Sequence, residues 1–258
     1  MQEGEKMLHL QDVTVVKKNK QIVKVKELSV KAGKVTALIG PNGAGKSSLL
    51  KIMALLENPT TGTIHFNGSQ VFPGKVNLSD RRKVSVVFQQ PLMLDTTVYN
   101  NVAIGLKFRK ASKKLIRETV FYWLKQFGID HLAENRAKNL SGGEAQRLSI
   151  ARAMATNPEI LFLDEPFSAL DLPTRRKLLK DFQQILKETG TTTVFISHDY
   201  HEVRYLCEDV ILMFEGNMID HGKVEELQIK RFTNDVNQFL DEWMTPLIDE
   251  ERMEKAMT

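Results

Sequence analysis

Lys46 and Ser47 stand side by side at the end of the glycine-rich run GPNGAGKSS, residues 40–48. An ammonium next to a hydroxyl, behind closely spaced glycines, is suited to holding a phosphate chain together with a divalent cation. Glycines let the backbone turn tightly and approach an anion with no Cβ in the way, so that bare N–H groups point at it. Gly40, Gly45, Lys46 and Ser47 fill the fixed positions of a phosphate-binding loop, with Pro41, Asn42, Gly43 and Ala44 between them and Ser48 following. Lys46 would reach the outer phosphates, and the Ser47 hydroxyl would ligate Mg2+. Far along the chain, Asp164 and Glu165 end the apolar run 160–163. An acid at the tip of a strand beside such a loop holds Mg2+ directly or through water, which suits Asp164. Glu165 is then placed to polarise the water that attacks the terminal phosphate. A surface turn with two acids is the alternative, and the apolar run ahead of them favours the site.

Other groups could complete such a site. In LSGGEAQR, residues 140–147, Ser141 and Glu144 have capping-box spacing, so a helix should begin there. Capping does not explain Gly142 and Gly143, which leave N–H groups open to an outside anion. A second phosphate-binding helix end, beyond what the chain's own loop needs, suggests a site completed by another copy. His198 follows an apolar strand, where an imidazole can steady the attacking water or Glu165; a helix-capping or satisfied core histidine is an equal reading of that residue alone. The Gln89 carbonyl can serve Mg2+ or water, Gln90 lies one residue away, and Asp171 fits a helix cap.

The scaffold reads as alternating strands and helices. Short strands are expected at 8–16, 21–25, 28–30 and 35–39, a turn at 59–62, and a strand at 63–66 closed by the hairpin dipeptide Asn67-Gly68. Another strand is expected at 84–88. From 92 to 157 the pattern is helical, with apolar residues at helical spacing over 112–127 and a stop at Gly128. Alternation then resumes: strand 160–163, helix 174–188 ended by Gly190, strand 192–196, a helix through Leu206, strand 210–214. Such alternation around a phosphate loop predicts an α/β fold with a twisted, mostly parallel sheet covered by helices. Phe239, Leu240, Trp243, Met244, Leu247 and Ile248 predict a short amphipathic helix packed on the body.

At 258 residues and 42% hydrophobic, the chain can bury a substantial core. Its net charge of +4 permits contact with nucleic acid or an anionic membrane without demanding either. The only cysteine, Cys207, excludes an internal disulfide, suits a reducing cytosol and, among apolar neighbours, reads as a buried structural thiol. No apolar run approaches the roughly 18 residues that span a bilayer, and MQEGEKMLHL lacks the apolar stretch of a signal peptide. Movement of a solute across a membrane would therefore need a path formed by another chain.

Over nearly its whole length the sequence resembles the ATP-binding-cassette (ABC) ATPases. GPNGAGKS resembles the Walker A loop, LSGGE the family's LSGGQ signature, ILFLDE the Walker B strand and SALD, residues 168–171, the D-loop. Gln89 resembles the Q-loop glutamine, which favours it over Gln90, and His198 in ISHD the switch histidine. This resemblance implies a P-loop NTPase fold with an N-terminal antiparallel β part and an inserted helical subdomain. The division is one domain, 1–258: a nucleotide-binding core from 1–90 and 158–225, a helical signature subdomain over 91–157 and a C-terminal helical tail over 226–258. It implies ATP and Mg2+ as cofactors, catalysis by Glu165, His198 and Gln89, and Mg2+ held by Ser47, Gln89 and Asp164. It also implies a homodimer or a paired ABC ATPase, head to tail, with Lys46 of one copy and Ser141, Gly142, Gly143 and Glu144 of the other gripping the same nucleotide. Asp171 would also touch the partner's loop.

Two departures stand out. The family stacks an aromatic on adenine from the turn between the first strands, where this chain has Lys17 or a neighbour, and a lysine can cover the ring only as a cation. Glu144 replaces the common signature glutamine. The resemblance further implies a peripheral subunit on the cytoplasmic face of the cell membrane. It would drive integral membrane permease subunits, with an extracytoplasmic solute-binding protein in the full system. VFQQPLMLDTTVYNNVAIGLKF, from residue 87, resembles the segment by which importer ATPases grip their permease, with Phe88, Leu92, Leu94, Val98 and Tyr99 as a candidate docking groove. Its spelling is most like oxyanion importers of the tungstate or molybdate type. The alternative is a soluble ABC ATPase acting on nucleic acid, ribosomes or an assembly complex. Long coiled coils and a second cassette, which such members carry, do not occur here, so no nucleic-acid partner is expected; the basic run 107–114 reads as a solvated face.

Overall fold

The computed structural model describes residues 6–72, 75–168, 170–228, 230 and 232–245. In chain order the elements are β1 (Lys6–Lys17), β2 (Lys20–Lys31), β3 (Val35–Ile39), α1 (Lys46–Met53), β4 (Thr61–Phe66), β5 (Ser69–Val71), α2 (Leu78–Lys83) and β6 (Val84–Val87). Then follow α3 (Val98–Phe108), α4 (Lys113–Gln126), α5 (Gly142–Met154), β7 (Ile160–Asp164), α6 (Leu172–Thr189), β8 (Thr192–Ile196), α7 (Tyr200–Leu206), β9 (Asp209–Phe214), β10 (Asn217–Lys223) and α8 (Asn234–Met244).

All strands join one sheet in the order β5-β4-β1-β2-β10-β9-β3-β8-β7-β6. From β9 to β6 every pairing is parallel. The apolar runs of β3, β7, β8 and β9 are buried on both faces over nearly all their length, as in a sheet covered on two sides, whereas β6 at the edge buries only Val87. From β5 to β2 the pairing is antiparallel, so the fold is a mixed α/β sheet with a parallel half and an antiparallel half. The halves meet where β10 pairs with β9 antiparallel and touches β2 in parallel register at Asn217 and Lys24.

Two expectations change here. Segments 21–25 and 28–30 are one strand, β2, paired with β1 along its length. Lys26 and Glu27 looked like a break because the buried positions slip by one residue, from Val23 and Val25 to Leu28 and Val30. In addition, Thr61 and Gly62 belong to β4 rather than to a turn. Gly62 has φ +95, and a Cβ there would lie 2.5 Å from the Asp12 carbonyl oxygen, where the β1–β4 register shifts at a bulge. The Asn67-Gly68 hairpin forms as expected, with both residues at positive φ.

Two apolar cores flank the sheet. One lies under α1 and the antiparallel strands, built from Leu10, Val25, Leu38, Leu49, Ile52 and Phe162 among others. On the other face, Ala37, Leu163, Phe195 and Leu212 pack with α3–α7 and with Val236 and Leu240 of α8. α3, α4 and α5 pack on one another, and α5 also lies against β6. Helix ends follow the sequence closely: Ser112 caps α4, Asp171 caps α6 with Pro173 in its first turn, and Gly190 ends α6 at φ +62. α8 brings Trp243 edge-on to Tyr200, ring centroids 5.2 Å apart. Leu247 and Ile248 lie outside the described residues. Cys207, expected to be buried, is half-buried at the end of α7; desolvation, with Asp209 and Glu202 nearby, pushes its thiol well above its usual range.

Candidate functional site

Chain geometry makes the loop after β3 a cradle. Gly40 and Gly45 have φ +146 and +95, and a Cβ would lie 2.1 Å from the Met213 carbonyl oxygen at the first and 2.4 Å from that of Ile22 at the second. Only glycine fits either place. At Gly43, φ is +81, and a Cβ would meet nothing within 4 Å, so this part of the loop faces open space. α1 starts directly behind, with Gly45 as an N-cap that offers no side-chain bond and no acid in the first turn. Its positive end is therefore left to an outside anion. Lys46 bends back over the loop and donates to the carbonyls of Gly40 (2.7 Å) and Pro41 (2.9 Å). Burial lowers its pKa, against the pull of Glu165 and Asp164.

Asp164 ends β7 opposite Ser47, whose hydroxyl donates to Asp164 Oδ1 at 3.4 Å. Burial raises the Asp164 pKa first; the Ser47 bond opposes this, and the Glu165 charge adds to it. A cation between Ser47 and Asp164 would reverse that balance. One carboxylate and one hydroxyl are hard oxygen donors of the kind Mg2+ takes when substrate phosphates and water complete its shell. Among the described residues no group of three or more His, Cys, Asp and Glu could cage a metal by itself.

Glu165 is the point of convergence. Its backbone is left-handed, φ +48, a conformation that costs a non-glycine residue on the order of 1 kcal/mol or more. It is held there by its N–H to the Ile196 carbonyl (3.1 Å) and by the Ser168 hydroxyl, which donates to its carbonyl at 3.0 Å. The Gln89 amide donates to Glu165 Oε2 at 2.8 Å, and His198 Nε2 meets Oε1 at 2.8 Å. Residues from the end of β6, the end of β7 and the loop after β8 thus meet at one carboxylate beside the Ser47–Asp164 pair.

Ser141, Gly142, Gly143 and Glu144 stand elsewhere, at the start of α5. Among the described residues no hydrogen bond or ion pair joins them to 40–48. The capping box forms as its spacing predicts. The Ser141 hydroxyl and N–H both donate to Glu144 Oε2, at 2.7 and 2.8 Å, which lowers the Glu144 pKa. Gly142 is open, whereas a Cβ on Gly143 would lie 3.0 Å from Leu170 Cδ2.

Several surface expectations are corrected. Val98 is 0% exposed and belongs to the core, so it leaves the candidate docking groove. Leu92 and Leu94 are exposed, and the Tyr99 ring lies 5.7 Å from that of Phe121. The run 107–114 is not one solvated face: Arg109 turns inward to the carbonyls of Thr156 and Arg82, and burial lowers its pKa. Lys17 is bound to Glu57 at 2.6 Å, which occupies its charge.

Sequence reasoning missed the polar group behind His198. Arg175, Ser197, Asp199 and Glu202 line, with His198, Glu165 and Trp243, a cavity of about 410 Å³. Glu202 is 4% exposed, and its pKa is pushed up to about 7, chiefly by burial, with the Ser197 bond opposing. Below about 4.5, its ordinary value, both folded and unfolded chains carry the proton. As pH rises towards 7 the unfolded chain ionises first, so the fold loses on the order of 3 kcal/mol by neutral pH. Glu202→Gln should remove that slope. Urea unfolding of parent and variant from about pH 5 to about 8 measures it, and equal slopes would refute the assignment.

Residues 23–168 match a family model described as ABC transporter. The chain is 33% identical over 222 residues to the spermidine/putrescine import ATP-binding protein PotA of Mesoplasma florum, covering 86% of this chain and 63% of that one. It is 38% identical over 220 residues to the sulfate/thiosulfate import ATP-binding protein CysA of Yersinia pseudotuberculosis, covering 83% and 60%. It thus spans under two thirds of the length of these relatives. A solved dimeric ATP-binding cassette in a post-hydrolysis state, bound to ADP and Pi, superposes with a TM-score of 0.76 at 30% identity, covering 88% of this chain and all of that one.

Proposed function

The chain belongs to the ABC transporter ATP-binding family, and from that premise we propose that it binds and hydrolyses ATP to drive a separate membrane permease of a solute importer. The observation that carries the reading is the meeting of Gln89 and His198 on Glu165, beside Ser47 and Asp164 and below the Lys46 loop. Glu165 takes up the proton of the attacking water, and His198 holds the carboxylate and that water in line. Lys46 leaves its two loop carbonyls for the outer phosphates, while the N–H groups at the start of α1 and the open part of the loop line the phosphate chain. Ser47, Asp164 and the Gln89 carbonyl would hold Mg2+, which would supply positive charge to the phosphates when bound.

The remaining donors come from a second copy. Ser141, Gly142 and Gly143 sit on an open helix end with no link to their own loop, which supports a head-to-tail dimer with each nucleotide between one chain's loop and the other's signature; Glu144 enters as holder of Ser141. The solved relative is itself dimeric. In this reading 1–90 and 158–225 form the nucleotide core, 91–157 the signature subdomain and 226–258 the tail.

Among the described residues no helix is long and apolar enough to cross a membrane. In the proposed reading the permease is a separate integral membrane protein, the chain works at the cytoplasmic face, and a solute-binding protein lies outside; the import ATP-binding relatives support this. Exposed Leu92 and Leu94, which follow Gln89 by three and five residues in the chain, together with Tyr99 form the docking surface. Cargo of the two named relatives is a polyamine in one case and sulfate or thiosulfate in the other, which supports import; the oxyanion reading rests on the spelling around Gln89 and the signature. A soluble ABC ATPase is the second reading. Affinity purification from detergent-solubilised membranes decides between them: an integral membrane protein should co-purify and alter ATP turnover, whereas tight, salt-sensitive nucleic-acid binding without it would overturn the import reading.

A further inference from the structure

Arg175 joins two loops that the catalytic reading treats separately. From α6 its Nη1 donates to Asp199 Oδ2 at 3.2 Å, and its Nη2 donates to the Leu170 carbonyl at 3.3 Å. Its Nε is buried without a hydrogen-bond partner, 3.8 Å from Glu202 Oε1. Asp199 and Ser197 flank His198. The Ser197 hydroxyl donates to Glu202 Oε2 at 2.6 Å and accepts the Asp199 N–H at 3.0 Å. Asp199 also caps α7 by accepting from the N–H groups of His201 and Glu202. The loop that presents His198 to Glu165 is thus fixed on both sides of the histidine.

On its far side Leu170 abuts the signature: its Cδ2 lies where a Cβ on Gly143 would be crowded, at 3.0 Å. A continuous path therefore runs from Gly143 through Leu170, Arg175 and Asp199 to His198 and Glu165. A planar guanidinium spans it because its N–H groups leave in fixed, divergent directions; a single ammonium is a point charge.

We propose that Arg175 is a positioning residue that holds the His198 loop in register with Leu170 just ahead of α6, so that the signature end and the catalytic carboxylate of one chain share one link. The proposal rests on the ATPase reading above. Arg175 binds the Asp199 carboxylate and the Leu170 carbonyl and acts through where it puts His198.

Arg175→Lys in the full chain tests this. The substitution keeps the charge but not the fork. KM for ATP should stay within about twofold while kcat falls at least about tenfold, since small misplacements at a reacting centre are costly. In nucleotide-free protein, the His198 imidazole NMR signal, assigned through its loss in His198→Ala, should move, and Asp199→Asn should move it in the same direction. If kcat and the imidazole signal match the parent while only Tm falls, Arg175 is a structural brace and the proposal fails. If the parent itself turns over no ATP, the ATPase reading fails, and the imidazole signal still decides whether Arg175 positions His198.

Discussion

Glu165→Gln should keep ATP binding and lose hydrolysis by about 10²-fold or more, the span typical of removing a general base. The exchange is nearly isosteric, so the Ile196 and Ser168 bonds to the backbone of residue 165 survive. What disappears is the negative charge that accepts hydrogen bonds from Gln89 and His198 together. An amide offers one acceptor and a donor where there were two acceptors, so one of these contacts must break or its imidazole must change tautomer. Binding moves the other way. The Glu165 charge pushes the Asp164 pKa up, so its removal leaves Asp164 readier to carry the charge that a Mg2+–phosphate complex needs. ATP should then be held without being consumed, and dimers should accumulate with ATP and not with ADP. Phosphate-release assays and light scattering with each nucleotide read both effects. Turnover near the parent's rate would remove Glu165 from the role of base.

The parts of this molecule that were legible in the sequence are those whose chemistry is contiguous. Residues 40–48 carry their glycines, lysine and serine in one run, because a phosphate cradle is made from successive backbone N–H groups. The buried parallel strands were legible because short apolar runs have few other uses. Illegibility has equally specific causes. β2 looked broken because the inward face changes phase at Lys26 and Glu27. β10 escaped notice because its residues are largely polar although it lies inside the sheet between β2 and β9, with Glu215 and Gly216 both at positive φ making the turn from β9. Val98 shares a segment with exposed Leu92 and Leu94, and residue type alone does not say which of the three turns inward. The Arg175–Asp199–Glu202 group had no signal at all. Its members come from α6, the loop after β8 and α7, and each alone reads as a surface charge; only tertiary packing makes Glu202 a buried acid.

Lys46→Ala and Ser141→Arg should each abolish ATP turnover, and mixing the two inactive proteins should restore part of it. Lys46→Ala removes the ammonium over the loop. Ser141→Arg places a bulky cation on an exposed helix end and costs its cap about 1 kcal/mol, too little to unfold the chain. In a homodimer of either variant both shared sites are damaged. In a mixed dimer the two lesions fall on the same site, and the other combines an intact Lys46 with an intact Ser141. Random pairing makes about half the dimers mixed, each with one sound site, so independent sites would return about a quarter of the parent rate. Restoration requires that Ser141 serve the nucleotide held by the other chain's Lys46. If each chain built its site from its own residues, every site in the mixture would carry a lesion, and no ratio of the two proteins would exceed the average of the separate rates. ATP-driven association of the differently labelled variants, measured by energy transfer, separates failure to pair from failure to react. Pairing without turnover would mean that both sites must be sound before either one hydrolyses.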